Sequence, residues 1–181
     1  VQSMASQPCS ALQGWMRLNQ ARHWNEFVTA MHDIEAPQLN IAYADVEGNI
    51  GYWVTGRVPI RAKGNGMVPS PGWDGTHEWI GEIPFEDMPH ALNPGKGYIV
   101  SCNNKIISDN YPYYLGSVWM NGYRANRLSQ MIEAVQKMGP DDFHAMQTDV
   151  TCIPGGELVA QLSELPEEEP AVKLAMKYLR P

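Results

Sequence analysis

The feature that most constrains this chain is a change of hydrophobic period at residue 39. Before it, apolar residues recur every three or four positions. From there Leu39, Ile41 and Tyr43 alternate with Asn40, Ala42 and Ala44. The same period of two returns at Ile50, Tyr52 and Val54, after the turn Asp45-Val46-Glu47-Gly48-Asn49. Side chains of a strand point alternately to its two faces, so such alternation marks a strand with one face buried. Gly48 supplies the positive φ that the turn needs. The spacing therefore predicts an antiparallel hairpin, joined near Glu47-Gly48, with a single buried face.

The flanks are helical. Residues 10–18 are mostly apolar and helix-compatible. Asn19 is then expected to cap a second helix, in which Trp24, Phe27, Val28 and Met31 fall at i, i+3, i+4 and i+7 and pack in the core. Leu128, Met131, Ile132 and Val135 lie on one face of a later helix that should run to Gly139-Pro140. Asp141 and Asp142 start the next, with Phe143, Met146 and Val150 facing in. Pro154-Gly155-Gly156 is expected to break the pattern before helical stretches at 157–165 and 171–179. The acidic run 167–169 reads as the solvated first turn of the last one.

Between hairpin and helices, residues 56–97 carry eight glycines and six prolines. So punctuated a segment holds only short strands, one expected around residues 78–80, with Trp73, Trp79 and Phe85 pinning it down. Residues 98–102 read as a short buried strand ending in Asn103-Asn104. The layout is α+β: a helical lead-in over residues 1–38, a β region over 39–122 and a helical third over 123–181.

Composition closes off several functions. A formal charge of −7 over 181 residues argues against binding nucleic-acid phosphates, and Arg57, Arg61 and Lys63 read as a solvated face. No apolar run is long enough to span a bilayer. Cys9, Cys102 and Cys152 form neither a disulfide framework nor a zinc knuckle. One disulfide would be compatible with them and is not required, so the redox compartment stays open. The histidines at 23, 32, 77, 90 and 144 show no ligand spacing, which gives no reason to expect a metal. G-x-S-x-G, H-E-x-x-H, a phosphate loop and a dinucleotide fingerprint are all missing. A cysteine–histidine nucleophile stays open, because such partners need not be close in sequence, but buried inert thiols are the simpler expectation.

What remains is the pair Asn103-Asn104. Carboxamides in that position commonly satisfy backbone groups of the next turn. A fixed neutral NH₂ donor there can also stabilise the oxyanion of acyl transfer. In an extended chain the two side chains would point in opposite directions, so only one of them could serve.

The string Leu39-Asn40-Ile41-Ala42-Tyr43-Ala44-Asp45-Val46-Glu47-Gly48-Asn49-Ile50-Gly51-Tyr52 resembles the hairpin of the penicillin acylase family. Gly56-Arg57-Val58-Pro59-Ile60-Arg61 follows as it does there. Further matches come in order at Val68-Pro69, Pro71-Gly72-Trp73, Ile83-Pro84-Phe85-Glu86, Asn93-Pro94, Gly97-Tyr98-Ile99, Asn103-Asn104, Tyr111-Pro112, Tyr123-Arg124 and Arg127. The lead-in around Arg22, Trp24 and Phe27 fits as well.

The resemblance implies an N-terminal-nucleophile hydrolase. Its fold would be part of a four-layer αββα sandwich. A self-cleaved precursor would free an N-terminal serine to attack an amide, with its own α-amine as base. Asn103 would be the oxyanion donor. Arg124 would steady the amine of the nucleophile and the end of the substrate. The partners would be the remainder of the parent acylase and a small-molecule amide, and family habit suggests export. Two departures stand out. Cys102 replaces a tryptophan common before the asparagine pair. Tyr113, Tyr114 and Leu115 stand where some members carry a calcium-binding aspartate, so no cofactor is carried over.

Neither end reads as a natural start or stop. Val1 cannot act as nucleophile, and the catalytic serine is expected upstream, so the isolated chain should be inert. Cutting a sandwich in this way should uncover the sheet face at Leu39 and Ile41 and cause self-association or repacking. The alternative reading is a stand-alone secreted module that binds sugar or peptide with the aromatic loop 73–85.

Overall fold

The computed structural model describes residues 2–164, 166 and 169–179. The chain divides into two compact units, Val1–Met120 and Asn121–Pro181.

In the first unit, helix α1 (Ala11–Leu18) packs beside α2 (Trp24–Asp33). The fit depends on Gly14: a Cβ there would lie 2.7 Å from Ile34 Cγ1 and 2.9 Å from the Asp33 carbonyl carbon. Asn19 ends α1 rather than starting α2. The cap of α2 is His23, whose Nδ1 accepts the Glu26 N–H at 3.4 Å. The stripe predicted on α2 is the core: Phe27, Ala30, Met31 and Ile34 are buried, and Trp24 and Val28 pack against them.

Strands β1 (Asn40–Ala44) and β2 (Ile50–Val54) form the predicted antiparallel hairpin, with Ile41 opposite Trp53 and Ala42 opposite Tyr52. The expectation of one buried face is corrected. Ile41, Tyr43 and Trp53 pack on α2, whereas Tyr52 and Val54 point the other way into a second cluster with Ile83 and Met88. The register sets this, placing Trp53 opposite Ile41 and Tyr52 opposite Ala42, and β5 (His90–Leu92) pairs with the far edge of β2. Leu39 is left 40% exposed. Buried Thr55 closes the open end of the hairpin: its Oγ1 accepts from Leu39 N–H at 3.1 Å and donates to the Pro37 carbonyl at 3.0 Å.

The closed end is organised by Asp45. Its Oδ1 accepts the N–H groups of Glu47 and Asn49, both at 2.9 Å; its Oδ2 accepts the Tyr43 hydroxyl at 2.7 Å and Asn49 Nδ2 at 2.8 Å. Gly48 turns the chain at φ +87°. The Asn49 and Tyr43 hydrogen bonds lower the Asp45 carboxyl from 3.8 to about 2. Burial, followed by the hydrogen bond to Asp45, lifts the Tyr43 hydroxyl to about 12. A carboxyl whose folded pKa is depressed favours the fold when ionised. Its contribution is complete above the unfolded value and is lost as pH falls through the folded one. Acid should therefore loosen this turn between about pH 4 and about pH 2. Amide exchange of Glu47 and Asn49 should lose protection in that window, and an Asp45 carboxyl that titrates near its ordinary value would contradict the account.

The loop-rich segment carries more structure than its glycines and prolines suggest. Strand β3 (Pro59–Arg61) pairs with β4 (Trp79–Glu82), and a short 3₁₀ turn spans Phe85–Asp87. Phe85 does pin the segment, stacking on Trp53 with centroids 4.6 Å apart. Trp79 is half-buried, but Trp73 is 88% exposed, so it does not pin the segment by burial.

In the second unit, α3 (Tyr123–Glu133) stops well short of Gly139 and leaves Val135 outside it. Helix α4 (Pro140–Gln147) starts as predicted: the Asp142 carboxylate accepts the Gly139 N–H at 2.7 Å. Phe143 and Val150 do not face in, being 52% and 93% exposed. Pro154-Gly155-Gly156 does not break a helix but opens α5 (Ile153–Leu162), since the first turn of a helix has no acceptor for the N–H that proline lacks. Helix α6 (Pro170–Leu179) buries Met176. Residue 165 of the expected helix and residues 167 and 168 of the acidic run lie outside the described residues. No helix among the described residues is long and apolar enough to cross a membrane.

Candidate active site

The asparagine pair lies in the first unit, but not at the end of a strand. Residues 98–102 form no strand. The Cys102 N–H donates to Asn104 Oδ1 at 3.0 Å instead of to a neighbouring strand. The segment is tied to the sheet through side chains: Asn40 Nδ2 on β1 donates to Ser101 Oγ at 2.9 Å. Between this segment and the sheet runs a groove of about 240 Å³, lined by Asn40, Tyr52, Ala91, Val100, Asn104 and Lys105 among others.

The two asparagines differ sharply. Asn103 is exposed, with φ +60°, one of two non-glycine residues among those described with positive φ. Asparagine tolerates this left-handed region better than most residues. The Asn103 carbonyl accepts the Met120 N–H at 2.9 Å, which fixes the backbone from the far side of the loop. Asn104 is half-buried, and its carboxamide is used locally: Oδ1 takes the Cys102 N–H, and Nδ2 donates to the Lys105 carbonyl at 3.2 Å. The local use of such a pair, satisfying backbone groups of the turn, falls on Asn104.

Arg124 is the second residue of α3 and is exposed; it belongs to the second unit. Three residues on, Arg127 makes a two-pronged ion pair with Asp149, Nε to Oδ2 at 2.9 Å and an Nη to Oδ1 at 2.7 Å. The Arg127 hydrogen bonds hold the Asp149 carboxyl far below the usual carboxylate range. Asp149 carried no sequence signal, because its partner lies 22 residues away. Asn40 carried one that went unread: an amide among the apolar residues of a strand.

The cysteines are not uniformly buried. Cys102 is, but Cys9 and Cys152 are exposed, and none of the three is in a disulfide. The Tyr113 hydroxyl donates to Asp87 Oδ2 at 2.8 Å. Among the described residues no three histidine, cysteine or carboxylate side chains gather to hold a metal.

A family model described as penicillin amidase matches residues 1–180. The penicillin acylase 2 proenzyme of Pseudomonas sp. strain SE83 is 40% identical over 126 residues, covering 70% of this chain and 16% of that protein. The acyl-homoserine lactone acylase QuiP of Pseudomonas aeruginosa is 32% identical over 151 residues, covering 83% of this chain and 18% of that one. Among solved structures, a thermostable penicillin G acylase from Alcaligenes faecalis superposes with a TM-score of 0.71 at 30% identity, over 91% of this chain and 30% of the other. The chain thus spans less than a fifth of the length of these two curated relatives. Nothing in these similarities supports a stand-alone binding module.

Proposed function

The chain belongs to the penicillin amidase family, and on that premise we propose that it forms the oxyanion-stabilising part of an amidohydrolase whose nucleophile lies elsewhere in a longer protein. The observation that carries this reading is the placement of Asn103 in a turn held by hydrogen bonds on both sides. Asn104 is committed to the backbone of its own turn, while Asn103 stands exposed in a fixed left-handed conformation.

The reaction would run as acyl transfer. An N-terminal serine outside these residues attacks the carbonyl of an N-acyl amide, and its α-amine takes the hydroxyl proton. Charge gathers on the former carbonyl oxygen, and Asn103 Nδ2 donates to it. Collapse breaks the C–N bond, and the leaving amine takes up the proton. Water then hydrolyses the acyl-serine by the same route. A neutral donor fixed in advance stabilises the oxyanion without reorganising when the charge appears. Arg124 would steady the serine amine and the substrate end. The surrounding fold would be the αββα sandwich, completed by the rest of the protein.

The test compares two preparations on phenylacetyl and aliphatic acyl amides. The full-length protein should hydrolyse one of these classes, and the isolated 181 residues should show no turnover above buffer. Turnover by the isolated chain, with one active centre per chain by titration, would overturn the reading.

A further inference from the structure

We infer that Asn104 is a positioning residue for Asn103, setting the backbone conformation that aims the Asn103 carboxamide; this rests on the reading of Asn103 as oxyanion donor. The two hydrogen bonds of its side chain straddle Asn103. Oδ1 holds the N–H of Cys102, the residue before it, and Nδ2 holds the carbonyl of Lys105, two residues after it. One planar amide therefore fixes both ends of the four-residue turn that contains the left-handed Asn103. Left-handed φ is costly for a residue with a Cβ, so an unbraced Asn103 would relax toward ordinary extended or helical backbone and carry its side chain away.

The brace is anchored in turn. Cys102 is buried, Ser101 is held by Asn40 of β1, and the Asn103 carbonyl is held by Met120 N–H. Asn104 itself lines the groove over the sheet, so its amide is fixed against a rigid element rather than a free loop. In an extended segment its side chain would simply point away from Asn103 and matter little. In the turn observed, it acts on Asn103 through the backbone.

Misplacing a reacting group by about 1 Å can cost up to roughly 10²-fold in rate. Asn104→Ala in the full-length protein should therefore lower kcat by at least about tenfold, with KM unchanged. The decisive experiment is a double-mutant cycle. Asn103→Gly removes the donor while accepting the left-handed φ, and Asn104→Ala is added to it. If Asn104 acts only through Asn103, the second substitution costs nothing further in kcat once the first is made. Equal losses in both backgrounds would show that Asn104 acts independently and would overturn the inference, as would a single Asn104→Ala variant within twofold of the parent. If Asn103→Gly alone leaves kcat intact, it is the assignment of Asn103 as donor that fails. Active-site titration normalises each rate to folded enzyme. Should Asn104→Ala not accumulate, Asn104→Ser, whose shorter side chain cannot span both bonds, is carried through the same cycle with the same two readings.

Discussion

Asn103→Ala in the full-length protein is expected to lower kcat by about 10²–10³ while leaving KM nearly unchanged, the loss of one oxyanion donor costing roughly 2.7–4 kcal/mol. The split follows from when the charge exists. The carboxamide meets a full negative charge only in the tetrahedral state, so removing it raises the barrier without weakening substrate binding. Alanine brings a second effect, because residue 103 sits at φ +60° and a side chain with a Cβ but no polar group is strained there. Asn103→Gly separates the two: it removes the donor and accepts the conformation. Both variants should lose the same factor. A fall with alanine but not with glycine would assign the effect to backbone strain. A rise in KM alone would remove Asn103 from the oxyanion altogether.

The largest effect on stability is expected at Phe27. It is 1% exposed, stacks with Trp24 at 5.2 Å and meets Tyr43 at 5.0 Å, and so joins α2 to the hairpin. Phe27→Ala combines the lost transfer of a large ring with a cavity that rigid neighbours cannot close, about 3–5 kcal/mol. Against a typical domain stability of about 5–15 kcal/mol, that is enough to bring the first unit close to unfolding. Urea denaturation should show the transition midpoint moved far down at constant slope. Phe143→Ala is the control: at 52% exposure on α4 it should change stability by about 0.5 kcal/mol or less. Comparable losses from the two would contradict the placement of the core.

What the sequence disclosed was local. The hairpin was legible because period-two alternation and the Asp45-to-Asn49 turn are contiguous in residues 39–54, and α2 because its apolar stripe lies on the face that is buried. What it hid depended on distant partners. Tyr52 and Val54 were set on the same face as Ile41 and Tyr43, but the register places Ile41 opposite Trp53 and Ala42 opposite Tyr52, and alternation within each strand does not fix that register. Residues 98–102 have the composition of a strand, but a strand needs a ladder, and the Cys102 N–H is claimed by Asn104. Pro154 looked like a breaker because its effect depends on where in a helix it falls, and it falls at the start. Of the proposed site, Asn103 and Arg124 were named only through resemblance to a family. The brace around Asn103 emerged only from the geometry.

The central claim is that this chain supplies the oxyanion side of an amidohydrolase and not its nucleophile. The most direct measurement is to treat the full-length protein with a serine-directed sulfonyl fluoride and locate the adduct by peptide mass spectrometry. The account predicts a single adduct on an N-terminal serine outside these 181 residues, with loss of amide hydrolysis in proportion to labelling. An activity-linked adduct on any serine or cysteine within them would contradict it.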